Sequence, residues 1–437
     1  MTANALSPEA ARTYELDRRH VFHSWSAQST VDPMVITRAE GCYVWDGAGN
    51  RLLDFSSQLV NTNLGHQHPR VVEAIAEQAR RLATVAPQHA NDQRGEAARL
   101  IAERTPGDLD RVFFTNGGAD ANEHAVRMAR LSTGRPKVLT RYRSYHGGTQ
   151  TAINLTGDPR RWANDSGTAG VVHFFGPYRY RSHFHAETEQ QECERALEHL
   201  AQVIELEGPR TIAAVLLEAI PGTAGIMVPP PGYLAGVREL CDRHGIVLIM
   251  DEVMTGFGRT GAWFVSGDEG VVPDLLTFAK GVNSGYVPLG GVAISEHIAA
   301  HFAERPYPGG LTYSGHPLAC AAAVASITAM EDEGVVGNAR RIGAEVLGPE
   351  LAKLAARHPS VGEVRGRGVF WAVELATAAA DVMPDLVGTA KRLGLLPFTN
   401  ANRIHVVPPC TITEAEARDG LALLDQVLDR ADELVAR

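Results

Sequence analysis

"LLTFAKGVNSGYVPLGGVAIS", residues 275–295, reads as an apolar strand, a lone lysine, a glycine-rich turn and a second apolar strand. Lysine strongly resists full burial. Either the Lys280 ammonium escapes to solvent, or the protein has a chemical use for an amine held at a strand end. The strand before it is apolar without alternation, the pattern of a strand covered on both faces. Six further runs, "RVFFT" (111–115), "KVLTRY" (137–142), "VVHFF" (171–175), "TIAAVLLEAI" (211–220), "IVLIM" (246–250) and "GGVAIS" (290–295), share that character. Helical patterns at 119–133, 187–207 and 232–245 lie between them. Apolar strands alternating with amphipathic helices predict an α/β fold, a mainly parallel seven-stranded sheet with helices on both faces. This large domain is expected over residues 65–320.

Beyond it the pattern changes. An Ala-rich helix at 316–334, strands at 368–375 and 403–407 and an amphipathic helix at 413–435 predict a smaller α+β domain over 321–437. Near the start, "CYVWDGAGNRLLDF" (42–55) reads as a hairpin around "DGAGN". Residues 1–64 are expected to contribute to the small domain.

Composition narrows the function. A chain of 437 residues exceeds the size at which single cores stop growing. A formal charge of −10, from 41 basic and 51 acidic residues, argues against a nucleic-acid or anionic-membrane partner. No window approaches ~18 uninterrupted apolar residues, and the opening twenty residues lack the apolar core of a signal peptide. Five cysteines with no CxxC pair fit a reducing cytoplasm and neither a disulfide framework nor a zinc site. "HFHAE" (183–187) lacks the helical histidine pair of a zincin, so no metal is expected.

Ligands of open α/β sheets sit at the carboxyl ends of the strands. The chemically rich stretches fall there. In "FFTNGGADANEHAVRMAR" (113–130), Gly117 and Gly118 allow close backbone approach just where a helix begins, a ready phosphate cradle. It is neither a GK[ST] P-loop nor a GxGxxG. "GIVLIMDEVMTGFGRTG" (245–261) ends an apolar strand on Asp251, and a carboxylate there needs a cationic or donor partner. A protonated pyridine nitrogen would serve; a helix cap or internal salt bridge is the plainer alternative. Lys280, desolvated at a strand end, would have a lowered pKa and could form a Schiff base. Tyr145 in "RSYHGGT" could stack on a planar cofactor.

These segments, with "LLEAIPGTAGI", "TFAKGVNSGYVPLGG" and "LTYSGHPLACAAA", follow in order and spacing the pattern of a known group. The chain resembles the class III (ω-amino acid type) aminotransferases, fold-type-I pyridoxal phosphate enzymes, from about residue 30 to its end. The resemblance implies that Lys280 carries pyridoxal 5'-phosphate as a Schiff base and later shuttles the proton. It implies that Asp251 holds the pyridinium, Val253 packs under the ring, and Tyr145 stacks above it with support from His146. Gly117, Gly118 and Ala119 would contact the phosphate through the backbone. Thr312 would reach the phosphate across a homodimer interface, and a tetramer stays open. Glu218 matches a glutamate near the cofactor that pairs with a mobile arginine in some members.

Two places depart from the family. Gln58, in "DFSSQLVNTNLGHQHP" (54–69), stands near a common glycine, and His405 stands where an arginine often precedes the Pro–Pro pair, with Arg403 two residues earlier. Trp25, Gln58, Arg403 and His405 are the candidate substrate residues. The function implied is transfer of an amino group from an ω-amino acid or terminal amine, taurine- or β-alanine-like, to 2-oxoglutarate or pyruvate. A pyridoxal phosphate aminomutase or decarboxylase is the alternative, and a non-catalytic protein on the same scaffold a third reading.

Overall fold

The computed structural model describes residues 6–165, 167–376 and 382–435. Near the start, β1 (Ile36–Glu40), β2 (Tyr43–Asp46) and β3 (Arg51–Asp54) form an antiparallel meander. Asp46 makes the second turn: its Oδ1 accepts the backbone N–H of Ala48 and of Asn50, each at 2.9 Å.

The large sheet contains β4 (Arg111–Thr115), β5 (Lys137–Arg141), β6 (Val171–Phe174), β7 (Ile212–Glu218), β8 (Val247–Asp251), β9 (Leu275–Phe278) and β10 (Gly290–Ile294). Their order across it is β4-β10-β9-β8-β7-β5-β6. The strands from β9 to β6 are parallel; β10 runs antiparallel to both β9 and β4. Successive residues of a strand face opposite sides of its sheet. Ala214 and Leu216 of β7 accordingly pack with helix Gly118–Thr133. Val215 and Leu217 pack with helices Glu189–Glu207 and Tyr233–His244 on the other face. Both faces being covered explains why these strands carry no polar alternation.

The C-terminal region adds β11 (Val361–Arg367), β12 (Phe370–Leu375), β13 (Leu395–Leu396), β14 (Phe398–Asn400) and β15 (Arg403–Val406). Four of them make a sheet in the order β11-β12-β15-β14, while β13 pairs in parallel with β3. The long helix Pro317–Asp332 leads out of the large sheet, and helix Glu414–Val435 ends the described chain. Among the described residues no helix is long and apolar enough to cross a membrane.

The carboxyl ends of β4, β5, β7, β8 and β9 meet along one edge. Because β10 is reversed, residues 279–289 leave and re-enter the sheet at that same edge, where Gly291 pairs with Phe278 and Gly290 with Thr115.

Candidate active site

Asp251 ends β8 and is buried. Its Oδ2 accepts from Asn122 Nδ2 at 2.8 Å and hydrogen-bonds His146 Nδ1 at 2.7 Å; its Oδ1 accepts the Val253 N–H at 3.0 Å. Asn122 is itself fixed, accepting from Thr277 Oγ1 on β9 at 2.8 Å. His146 therefore touches Asp251 directly and buttresses it.

Glu218, in register with Asp251 on the adjacent strand, is also buried. Its oxygens accept the backbone N–H of Tyr145 and of Gly222, each at 2.8 Å. Burial pushes its carboxyl up, with Asp251 adding to the push and His146 opposing it. Among the described residues no arginine forms an ion pair with it.

Lys280 follows β9 with a left-handed backbone (φ 44°), rare for a non-glycine residue and a mark of local strain. The next residue allows no side chain: a Cβ on Gly281 would lie 2.3 Å from Asn63 Nδ2. That amide donates to Phe257 O at 2.8 Å and its oxygen accepts from Arg259 at 2.8 Å. Arg259 is fully buried and also donates to the carbonyls of Val369 and Pro408. Lys280 keeps part of its surface open, but protein atoms crowd its amine. This burial lowers its pKa to about 8, with Glu218 and Asp251 pulling it back up.

The start of helix Gly118–Thr133 carries no side-chain cap, and nothing lies within 4 Å of a Cβ built on Gly117. A Cβ on Gly118 would stand 2.8 Å from Val253, and one on Gly147 would stand 2.4 Å from the Cβ of Ala119. An uncapped helix start with open space beside Gly117 and close backing at Gly118 and Gly147 is a place an anion fits. Half-buried Tyr145 has the Arg160 guanidinium 3.7 Å from its ring centroid, and Asp158 grips Arg160 Nε at 3.0 and 3.1 Å.

The remaining candidates are dispersed. Thr312 lies on the exposed surface of the chain beside exposed Tyr313. Trp25 is 67 % exposed with φ 57°. Gln58 donates to Asp54 Oδ2 at 2.9 Å, and Arg403 Nε donates to Glu374 Oε2 at 3.2 Å. His405 is sealed inside the small sheet, its ring against Phe398, with neither ring nitrogen partnered. Burial and the charges of Arg403 and Arg365 push it down to about 3, so it is a neutral core residue and no open anion contact. Sequence reasoning missed Asn122, Arg160 and Arg259. Asn122 carries a faint signal, one helical turn after the glycines; Arg160 follows its partner Asp158 by two residues, while Arg259 contacts residues far away in the chain.

The class-III aminotransferase family model matches residues 25–428. The chain belongs to the class-III aminotransferases. This enzyme is 36% identical over 417 residues to the 5-aminovalerate aminotransferase of Pseudomonas aeruginosa, covering 91% of this chain and 94% of that one. It is 34% identical to the 4-aminobutyrate aminotransferase of Escherichia coli, over 92% of this chain and 95% of that one. Among solved structures, the taurine:2-oxoglutarate aminotransferase of Bifidobacterium kashiwanohense, in complex with pyridoxal phosphate and glutamate, superposes with a TM-score of 0.94 at 40% identity. That match covers 97% of this chain and 98% of the other. The aminotransferase is a fold-type-I pyridoxal phosphate enzyme, and the open turn at Gly117, buried Asp251 and low-pKa Lys280 fit that cofactor.

Proposed function

We propose that this aminotransferase moves an amino group from an ω-amino acid or similar terminal amine, taurine- or β-alanine-like, to 2-oxoglutarate or pyruvate. The observation that carries the reading is Lys280, an amine placed at a strand end, lowered by burial to a pKa of about 8, within the field of buried Glu218 and Asp251. The relatives named for 5-aminovalerate, 4-aminobutyrate and taurine support the donor class, since all three pair a terminal amine with a distal acid group.

When bound, pyridoxal phosphate supplies an electron sink that makes the amine-bearing C–H acidic. In this reading Asp251 presents its carboxylate to the ring nitrogen, kept in place by Asn122, His146 and the Val253 N–H. Val253 and Tyr145 flank the ring, and the N–H groups at 117–119 hold the phosphate. Lys280 Nζ removes the proton from the donor's amine-bearing carbon and, once the oxo acid has replaced the donor, delivers one to the carbon that bore the oxo group. Glu218 keeps Tyr145 in position through its N–H. Exposed Thr312 completes the site of a second copy in a homodimer in the cytoplasm. Residues 1–64, 65–320 and 321–437 are the N-terminal segment, cofactor domain and small domain of that enzyme.

The test is a panel of taurine, β-alanine, 4-aminobutyrate, ornithine and neutral amines against pyruvate and 2-oxoglutarate, with the cofactor's absorbance followed during each half-reaction. Acid-bearing terminal amines are expected to bleach the band. Turnover confined to α-amino donors would overturn the proposal.

A further inference from the structure

The lysine turn, residues 280–285, rests on a segment of unusual backbone. Ser57, Gln58 and Val60 have φ of 43°, 60° and 60°. A β-branched residue such as Val60 adopts that left-handed region at a real cost, so the segment persists only because its surroundings hold it. The turn touches it at three points. A Cβ on Gly281 would strike the Asn63 amide, and one on Gly285 would strike the Asn61 amide. Between them the Leu64 N–H donates to Ser284 Oγ at 3.1 Å. Lys280 opens the turn, its carbonyl accepting from the Gly285 N–H at 3.2 Å.

One guanidinium secures that segment. Arg259 Nη2 donates to Asn63 Oδ1 at 2.8 Å and to Ser57 Oγ at 3.1 Å. Ser57 Oγ donates onward to Val407 O at 2.6 Å, just past β15. Arg259 Nη1 donates to Pro408 O and, at 3.3 Å, to Val369 O in the turn between β11 and β12. The Val369 N–H returns a bond to Arg259 O at 3.1 Å. The segment under Lys280, the small sheet and the loop after β8 therefore meet on a single side chain.

Packing alone does not call for a cation there. Arg259 is fully buried, yet among the described residues no carboxylate pairs with it and its Nε has no partner. Burial works against its charge, with Cys410 and Asp54 opposing. An uncompensated buried charge costs stability. The charge is felt at the Lys280 amine, where it acts with Arg160 and against Glu218 and Asp251.

We infer that Arg259 is a positioning residue for Lys280, holding segment 57–64 as the bed on which the lysine turn sits. This rests on the role of Lys280 proposed above. Sealed from solvent and with both terminal nitrogens engaged, Arg259 acts through Asn63 and Gly281, not on the substrate. Seating of the 368–369 turn and Pro408 thereby fixes where the Lys280 amine stands.

The experiment compares the full-length wild type with Arg259→Met, Arg259→Lys and Asn63→Ala. The chain has four lysines, Lys137, Lys280, Lys353 and Lys391, so isotope labelling of the lysine side chains gives four resonances, and Lys280→Met assigns one of them. In the cofactor-free protein that resonance is expected to titrate at about pH 8. Arg259→Met removes the cation and should move the midpoint up by about one pH unit. In the holoenzyme, with the fastest donor of the panel above, all three variants should lower kcat roughly 10- to 100-fold. KM should stay unchanged, because a misplaced base is felt in the chemical step, and Arg259→Lys should lose least. If Arg259→Met fails to fold, Asn63→Ala and Arg259→Lys decide through kcat. An unmoved midpoint in Arg259→Met, or variants whose loss lies in KM, would overturn the inference and leave Lys280 its role. Turnover by Lys280→Met would overturn both.

Discussion

Replacing Lys280 by methionine is expected to stabilise the cofactor-free protein at neutral pH while abolishing turnover. Burial lowers the Lys280 amine from the ordinary 10.5 to about 8, against the pull of Glu218 and Asp251. In the unfolded chain the amine titrates at its ordinary value. Between about pH 8 and pH 10.5 the unfolded chain therefore holds a proton that the folded protein has released, so stability rises with pH across that window. Below about pH 8 both states are charged, and the folded state bears the whole cost. The two pKa values put that cost at about 3 kcal/mol, an upper bound because part of the side chain stays open. Methionine has similar reach and no charge to desolvate. In a chain this long, 3 kcal/mol corresponds to a melting temperature higher by about 3 °C. Thermal melts of cofactor-free wild type and Lys280→Met from about pH 7 to about pH 10 measure the gap. It should narrow steadily above pH 8. A gap that ignores pH, or a variant that melts below wild type at pH 7, would refute the reasoning.

Glu252, beside Asp251, is fully buried and accepts from the N–H of Val265 (2.9 Å), the N–H and hydroxyl of Ser266 (2.7 Å each) and the Thr255 hydroxyl (2.7 Å). Glu252→Ala strands those donors and is expected to cost about 3–5 kcal/mol in chemical denaturation; a loss under about 1 kcal/mol would sink the assignment of a structural role. His405→Leu removes two unpartnered ring nitrogens from the core, and a gain of about 1–2 kcal/mol is expected at pH 7. As pH falls from about 6.5 towards about 3, the unfolded His405 takes up a proton that the folded one refuses. Urea unfolding at pH 7 and pH 5 should find wild type losing more stability on acidification than the variant.

The large sheet was legible because burial on both faces leaves no room for polar residues along its strands. Lys280 and Asp251 were legible for the opposite reason, as charges where apolar runs stop. Helices Pro69–Arg81 and Asp92–Ala102 were overlooked, although a proline at the start of one and the Asn91 cap of the other mark their entries. β13 has two residues and exists through its pairing with β3, which no local pattern announces. In "GFGRTG" nothing local singles out Arg259, which matters through partners at residues 57, 63, 369 and 408. Arg403 and His405 show the same limit: their residue types suggested substrate contacts, and only the fold reveals that Glu374 holds one and that the core encloses the other.

The reversed strand β10 has a consequence for how the molecule comes into being. β4 stands at the edge of the large sheet with β10 as its neighbour, so Thr115 must wait for Gly290 to be paired. The turn at Gly117 waits with it, since Gly290 packs so closely that a Cβ there would lie 2.7 Å from the Gly117 carbonyl carbon. Pairings between such distant parts of a chain close large loops and form slowly. A nascent chain that has made β4, β5, β7 and β8 already owns Asp251 and its partners, yet the turn at Gly117 lacks its wall. Binding of pyridoxal phosphate at that turn is therefore expected to follow completion of the sheet, which cofactor titration during refolding would check.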